Sequence, residues 1–242
     1  MGYGNLFHRQ VGGTSAAEKF IATVWVHVQT FFCLPSLKTK ILIERLPGIK
    51  HYRNVDLSDR DLKKMESYTE RDLNGADLMF YIGGSKCKHC SQGGGVAYMR
   101  AVCQRQKRRQ KYKQGIGLWS QSHASVADLV SHEIGHTLGM QHDFHKSHGG
   151  TGFDGNSTNP CNHKGIMSYS GNPKQWSDCS VKDFTAHYYS LKHNWCLPGK
   201  IFLIRKIYRS RAQQRLLWKL STFSLKVTVY KLSTPLFYQV EP

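Results

Sequence analysis

The residues with the most chemistry in this 242-residue chain fall in one stretch, His132-Glu-Ile-Gly-His-Thr-Leu-Gly-Met-Gln-His-Asp143. On a helix, side chains four apart share a face, so His132 and His136 can present both imidazoles to one metal ion. Glu133 points nearby without reaching the same coordination position, and it suits a general base acting on metal-bound water. Gly139 can end the helix in a left-handed conformation and turn the chain, so that His142 returns as a third ligand. Three neutral histidines with one open position describe a catalytic zinc site.

Such a site needs a rigid mount. Ser125-Val-Ala-Asp128 reads as a capping box opening the helix that carries it, with Val126, Leu129, Val130 and Ile134 on the apolar side. Ser15-Ala-Ala-Glu18 reads as an earlier capping box. Phe20, Ile21, Val24, Trp25, Val28 and Phe32 follow it at helical spacing, which predicts a long buried helix. Lys40 to Arg45, Asp77 to Ile82 and Gly115 to Trp119 read as strands, and Ser58-Asp-Arg-Asp61 opens a second helix carrying Leu62, Met65 and Leu73. Helices alternating with strands predict an α/β (α+β) layered domain.

The formal charge of +18 alone would suggest nucleic acid or an anionic surface, but it is unevenly placed. Residues 197–242 hold nine Lys or Arg against one Glu, contributing +8, and the first 196 contribute the remaining +10. The densest run, Arg105 to Lys113, reads first as a solvated loop. It also contains Arg-x-Lys-Arg, a pattern open to proteolytic nicking. No recognition module accompanies it, so nucleic acid is not an expected partner. No charge-free run is long enough for a transmembrane span, and Met1-Gly-Tyr-Gly-Asn does not read as a signal peptide. Seven cysteines nevertheless argue for an oxidising compartment, and Asn156-Ser157-Thr158 is a glycosylation sequon. A secreted protein whose leader is missing from this chain is the expectation.

The His132–Asp143 stretch resembles the zinc signature of the metzincin metalloproteases. Asp143 after the third histidine resembles the reprolysin branch (adamalysin, ADAM and ADAMTS), where astacins show Glu. Gly165-Ile-Met-Ser-Tyr169 resembles the family's Met-turn, which makes Met167 a support beneath the metal and not a ligand. The resemblance runs from about residue 1 to Cys196. It implies a metzincin-like catalytic domain over 1–199 with a mixed, mostly parallel twisted sheet, an active-site helix and a small C-terminal subdomain. Residues 200–242 then form a basic extension with no recognisable domain, expected not to pack as one.

The implied activity is that of a monomeric, secreted zinc endopeptidase. Zn²⁺ is held by His132, His136 and His142, Glu133 is the base, and protein or peptide substrates are bound in extended form. Gly93 to Val102 resembles the edge strand bordering the substrate cleft, to which a peptide can add by ladder hydrogen bonds. Cys103 with Cys196 and Cys161 with Cys179 match bridges of the family; Cys87-Lys-His-Cys90 resembles a short loop bridge of the ADAMTS group, where the spacing is wider, and reads as a local disulfide or as free thiols, which leaves Cys33 buried and unpaired. Tyr169 stands at the offset where astacins place a tyrosine near the metal; packing in the turn is the first reading of it. His123, His145, His148, His163 and His187 read as surface or hydrogen-bonded residues. Many relatives bind Ca²⁺, but Asn74 and Gly199 stand where that site's ligands are expected, which weighs against it. The family's first strand precedes the long helix in mid-sheet, and residues 1–13 read as too glycine-rich and polar to supply it. That gap, with the unusual 200–242 extension, supports a rival reading, a truncated, non-catalytic zinc-binding protein that acts by docking to partners.

Overall fold

The computed structural model of the protein describes residues 1–43, 48–56, 62–73, 76–84, 94–103, 114–118, 122–150, 152, 160–161, 163–169, 174–191 and 228–231. The chain opens with strand β1 (Gly2–Gly4), helices α1 (Asn5–Val11) and α2 (Thr14–Phe31), and strands β2 (Thr39–Leu42) and β3 (Lys50–Tyr52). Helix α3 (Glu66–Asp72) and strands β4 (Met79–Gly83), β5 (Gly95–Ala97) and β6 (Gln114–Leu118) follow, then helices α4 (His123–Thr137) and α5 (Asp178–Ser190) and strand β7 (Thr228–Lys231).

Five strands form one sheet in the order β3-β1-β4-β6-β5. The pairs β3/β1, β1/β4 and β4/β6 are parallel and β5/β6 is antiparallel, so the sheet is mixed and mostly parallel. Both faces are covered, and every residue of β4 is buried, as strands between two helical layers require. Phe80 and Ile82 face a core with Phe7 of α1, Ile21, Val24 and Val28 of α2, and Val126, Val130 and Ile134 of α4. Met79 and Tyr81 face a second core with Tyr52, Ile116, Met65, Leu62 and Leu73 around α3. Each fully buried Phe, Ile or Leu stabilises the fold by roughly 1.5–3 kcal/mol against exposure, so the core in which α2 and α4 pack together on one face of the sheet is the main hydrophobic mount of the helix that carries the histidines.

The central first strand is present, contrary to the sequence expectation. Gly2 is what lets it fit: a β-carbon there would lie 2.4 Å from the Tyr52 ring and 3.1 Å from Tyr81, so tyrosines of the flanking strands occupy the space over it. Tyr3 points the other way, fully buried, its ring stacked on His51 at 4.8 Å and edge-on to Phe7 at 5.7 Å. Helix α1 follows immediately, between β1 and α2, and the sequence reading did not foresee it.

Both helix starts lie earlier than the capping patterns predict. Helix α2 begins behind Gly13 with no side-chain cap, and Ser15 lies inside it. Helix α4 is capped by Ser122, whose hydroxyl accepts from the Ser125 N–H at 3.3 Å. Helix α3 is shorter than expected, although Leu62, Met65 and Leu73 are buried as its pattern requires. Strand β2 stands apart from the main sheet and pairs antiparallel with β7, Thr39 opposite Lys231 and Leu42 opposite Thr228. Ser58 to Asp61 and the rest of 200–242 lie outside the described residues. Among the described residues no helix is long and apolar enough to cross a membrane.

Candidate active site

Helix α4 carries His132, Glu133 and His136, all at most 9% exposed. The helix ends at Thr137, and Gly139 turns the chain at φ +99°. A side chain there is excluded twice: by that backbone conformation, and because its β-carbon would sit 2.6 Å from the β-carbon of His187. The turn brings His142 back to face the helix. Its Nε2 lies 3.1 Å from Nε2 of His136 and 3.1 Å from Nε2 of His132.

The outer nitrogens determine what those inner atoms are. His132 Nδ1 donates to the Ile166 carbonyl and His136 Nδ1 to the Met140 carbonyl, each at 2.8 Å. A carbonyl only accepts, so the protons sit on Nδ1 and the Nε2 lone pairs of both residues point inward. Burial, and for His136 the other two histidines as well, pushes these imidazoles down, His136 to about 3, so they are neutral at pH 7. Converging lone pairs repel one another unless a cation lies between them. A tetrahedral zinc would set its nitrogens about 3.3 Å apart, close to the spacing seen, so this donor set fits the metal.

Glu133 is 4% exposed, and burial pushes its carboxyl up to about 8. Its Oε2 has no hydrogen-bond partner among the described residues, and a nearby divalent cation would draw it back towards ionisation. The side chain packs on Gly95 of β5, where a β-carbon would lie 2.6 Å from Oε1 and 2.7 Å from Cγ. Strand β5 lies at the sheet edge. It is shorter than the Gly93–Val102 expectation because the chain then leaves the ladder to cap α4: the Arg100 N–H donates to the His136 carbonyl at 2.9 Å and the Val102 N–H to Thr137 at 3.1 Å.

Met167 is fully buried under α4, and its carbonyl accepts from the Asp143 N–H at 3.1 Å. The Asp143 side chain is fully buried too. Its carboxylate accepts from the hydroxyls of Ser168 at 3.1 Å, Ser180 at 3.3 Å and Ser177, tying the third-histidine loop to the Met167 turn and to the start of α5. Desolvation raises its carboxyl while these hydroxyls oppose the shift. The sequence names Ser168 only as a member of the Met-turn and does not single out Ser177 or Ser180; their one signal is Ser177-x-x-Ser180, in which Ser177 also caps α5 by accepting from the Ser180 N–H at 3.0 Å.

Asp183 was missed as well, and His148 was read only as one of several ordinary histidines. The two lie 2.9 Å apart beside the His142 loop, and the carboxylate holds the imidazole above its usual range. Of the other histidines, His123 stacks on Phe20 at 4.1 Å, His145 caps a short 3-10 turn, and His187 is buried against Gly139. Among the described residues the one group of metal-ligating type is His132, His136 and His142. Tyr169 is 69% exposed, its ring edge-on to His142 at 5.0 Å and packed on Phe144 at 4.9 Å.

Cys161 and Cys179 form a disulfide with Cα atoms 6.0 Å apart, bracing the Met167 segment against α5. Cys103 is disulfide-bonded, and its expected partner Cys196 lies outside the described residues. Cys87, Cys90, Asn74, Gly199, Asn156 and the Arg105–Lys113 run lie outside them too. Cys33 is free but exposed, not buried as expected, because Phe32 takes the core position past the end of α2.

The family description Metallo-peptidase family M12B Reprolysin-like matches residues 52–191, more than half of the chain. No curated protein matches it in sequence. Solved structures similar to it include mirolysin in complex with compound 9, 11% identical over 78% of this chain and 90% of that one, at a TM-score of 0.45. Metalloproteinase-II from Bacteroides fragilis is 15% identical over 77% of this chain and 52% of that one, at 0.38. A chain described as the structure of a chaperone-substrate complex is 19% identical over 78% and 34%, at 0.42, so the present chain spans about a third of its length. Likeness at this level carries no functional argument.

Proposed function

The chain belongs to the reprolysin-like metallopeptidases of family M12B, and from that premise we propose that it is a secreted zinc endopeptidase cleaving extracellular proteins. The observation that carries the reading is the convergence of three Nε2 atoms, with the buried Glu133 carboxyl next along the helix from His132 and its Oε2 without a partner among the described residues. His132, His136 and His142 would hold the metal. When bound, zinc supplies a Lewis acid that acidifies water and polarises a carbonyl oxygen.

The chain's own residues do the rest. The outer hydrogen bonds to Ile166 and Met140 hold His132 and His136 in the ligating tautomer. An extended peptide adds to the open edge of β5, held by main-chain hydrogen bonds. Glu133 takes the proton of the attacking water and passes it to the leaving amide nitrogen, so that a C–N bond breaks, a C–O bond forms and the base is regenerated. The seven cysteines, one pair of them seen bonded, support an oxidising, extracellular setting.

The test is zinc content with casein cleavage for the full chain and Glu133→Gln. The expected result is about one zinc per chain in both and cleavage in the parent alone; peptidase activity retained in zinc-loaded Glu133→Gln would overturn the assignment of the base. The rival reading, a binding protein without catalysis, rests on a missing first strand and on the unusual 200–242 extension, and β1 answers the first of these.

A further inference from the structure

His142 lacks the helical mount of the other two histidines and sits in the loop that leaves Gly139. Two groups hold that loop. Asp183 of α5 accepts the Gln141 N–H on Oδ2 at 2.8 Å. His148, at the end of the 3-10 turn Lys146–His148, donates from Nδ1 to the His142 carbonyl at 3.1 Å. The same Oδ2 of Asp183 lies 2.9 Å from His148 Nε2. The peptide units bracketing Gln141 and His142 are therefore tied, directly and through one imidazole, to a single carboxylate oxygen.

The side chains are 4% and 19% exposed, so water competes little for the pair. His148 Nδ1 donates to the His142 carbonyl, which only accepts, while Nε2 meets the carboxylate as a close polar contact outside hydrogen-bond geometry. Neither residue touches the place where the three Nε2 atoms meet. Their contacts are to the backbone that aims His142.

We propose that His148 and Asp183 are positioning residues for His142, fixing the loop backbone so that its imidazole meets those of His132 and His136 and thereby setting the metal affinity of the site. This rests on the zinc reading of the same site. Residues that orient a ligand without binding metal typically change affinity 10- to 100-fold when removed.

The experiment measures zinc dissociation constants for the full chain, His148→Ala, Asp183→Ala and the double variant by competition with a chromophoric chelator, with Co²⁺ absorption spectra as a readout of ligand geometry. Each single variant is expected to bind zinc about 10- to 100-fold more weakly with altered cobalt bands, and the double variant within about threefold of the worse single, because the pair acts as one unit. Asp178→Asn, which removes an exposed carboxylate of α5 paired with Lys38, should leave zinc affinity unchanged. Unchanged affinity and spectra in the single variants would overturn the proposal, as would an equal loss in Asp178→Asn. If Asp183→Ala does not fold, Asp183→Asn, which keeps the shape but not the charge, decides. A parent chain that binds no zinc would sink the endopeptidase reading along with this one; a parent that binds, with variants that bind equally, sinks this one alone.

Discussion

A β-carbon on Gly135 would lie 2.8 Å from the sulfur of Met167 and 3.3 Å from the ring of Trp176. The missing side chain between the two histidines of α4 is what lets the Met167 turn rise against the helix. Alanine gains about 1 kcal/mol of helix propensity over glycine, but forcing a methyl into a filled site costs about 1–3 kcal/mol. Gly135→Ala should therefore lower the melting temperature and weaken zinc binding. A variant that melts higher with zinc affinity intact would show the contact to be slack.

Asp143 is expected to matter for stability in its own right. Asp143→Ala leaves three serine hydroxyls, two of them fully or nearly fully buried, without their common acceptor, a cost of about 2–4 kcal/mol. Denaturant unfolding of the metal-free protein reads that cost directly, and a loss below about 0.5 kcal/mol would refute it.

Asp72 links β3 to α3. Arg71 is the largest influence holding its carboxyl below the usual range, with burial opposing and Lys50 and Tyr52 helping. A depressed folded pKa contributes stability that is present above the unfolded value of about 3.9 and is lost as pH falls through the folded one. The wild type should lose stability steeply below about pH 4. Asp72→Asn should be less stable at pH 7 by about 1–2 kcal/mol, with the difference closing in acid. Parallel pH–stability curves for the two proteins would exclude the linkage.

Asp128 behaves in the opposite sense. Burial pushes its carboxyl up to about 6 from 3.8. The unfolded chain ionises first, so stability falls as pH rises from about 4 to about 6, and the penalty is complete above that. Asp128→Asn should be more stable than the parent by about 1 kcal/mol at pH 7 and equal to it near pH 4, a figure discounted for its partial exposure. Thermal melts at the two pH values decide it.

The same Asp128 explains one boundary misread from sequence. Ser125-x-x-Asp128 imitates a capping box, yet the acid is half-buried inside α4 and the working hydroxyl is Ser122, one turn earlier. His132, His136, Gly139 and His142 were legible because one helix and one turn fix their relation locally. Ser177, Ser180 and Asp183 were not, because they reach the site from a helix far along the chain and polar residues leave no periodic trace. β1 was hidden for a related reason: Gly2 looks like a breaker until the rings of Tyr52 and Tyr81, brought in by two other strands, account for the space it leaves.

Gly95 has a wider meaning through its contact with Glu133. The three-residue strand to which a substrate backbone would clip is also the wall against which the proton carrier rests. On the proposed reading, gripping and proton handling would share one seat, and a peptide that failed to pair with the strand would leave the Glu133 carboxyl without a seated substrate beside it. Selection for extended, unfolded segments would then be enforced at the chemical step as well as at docking.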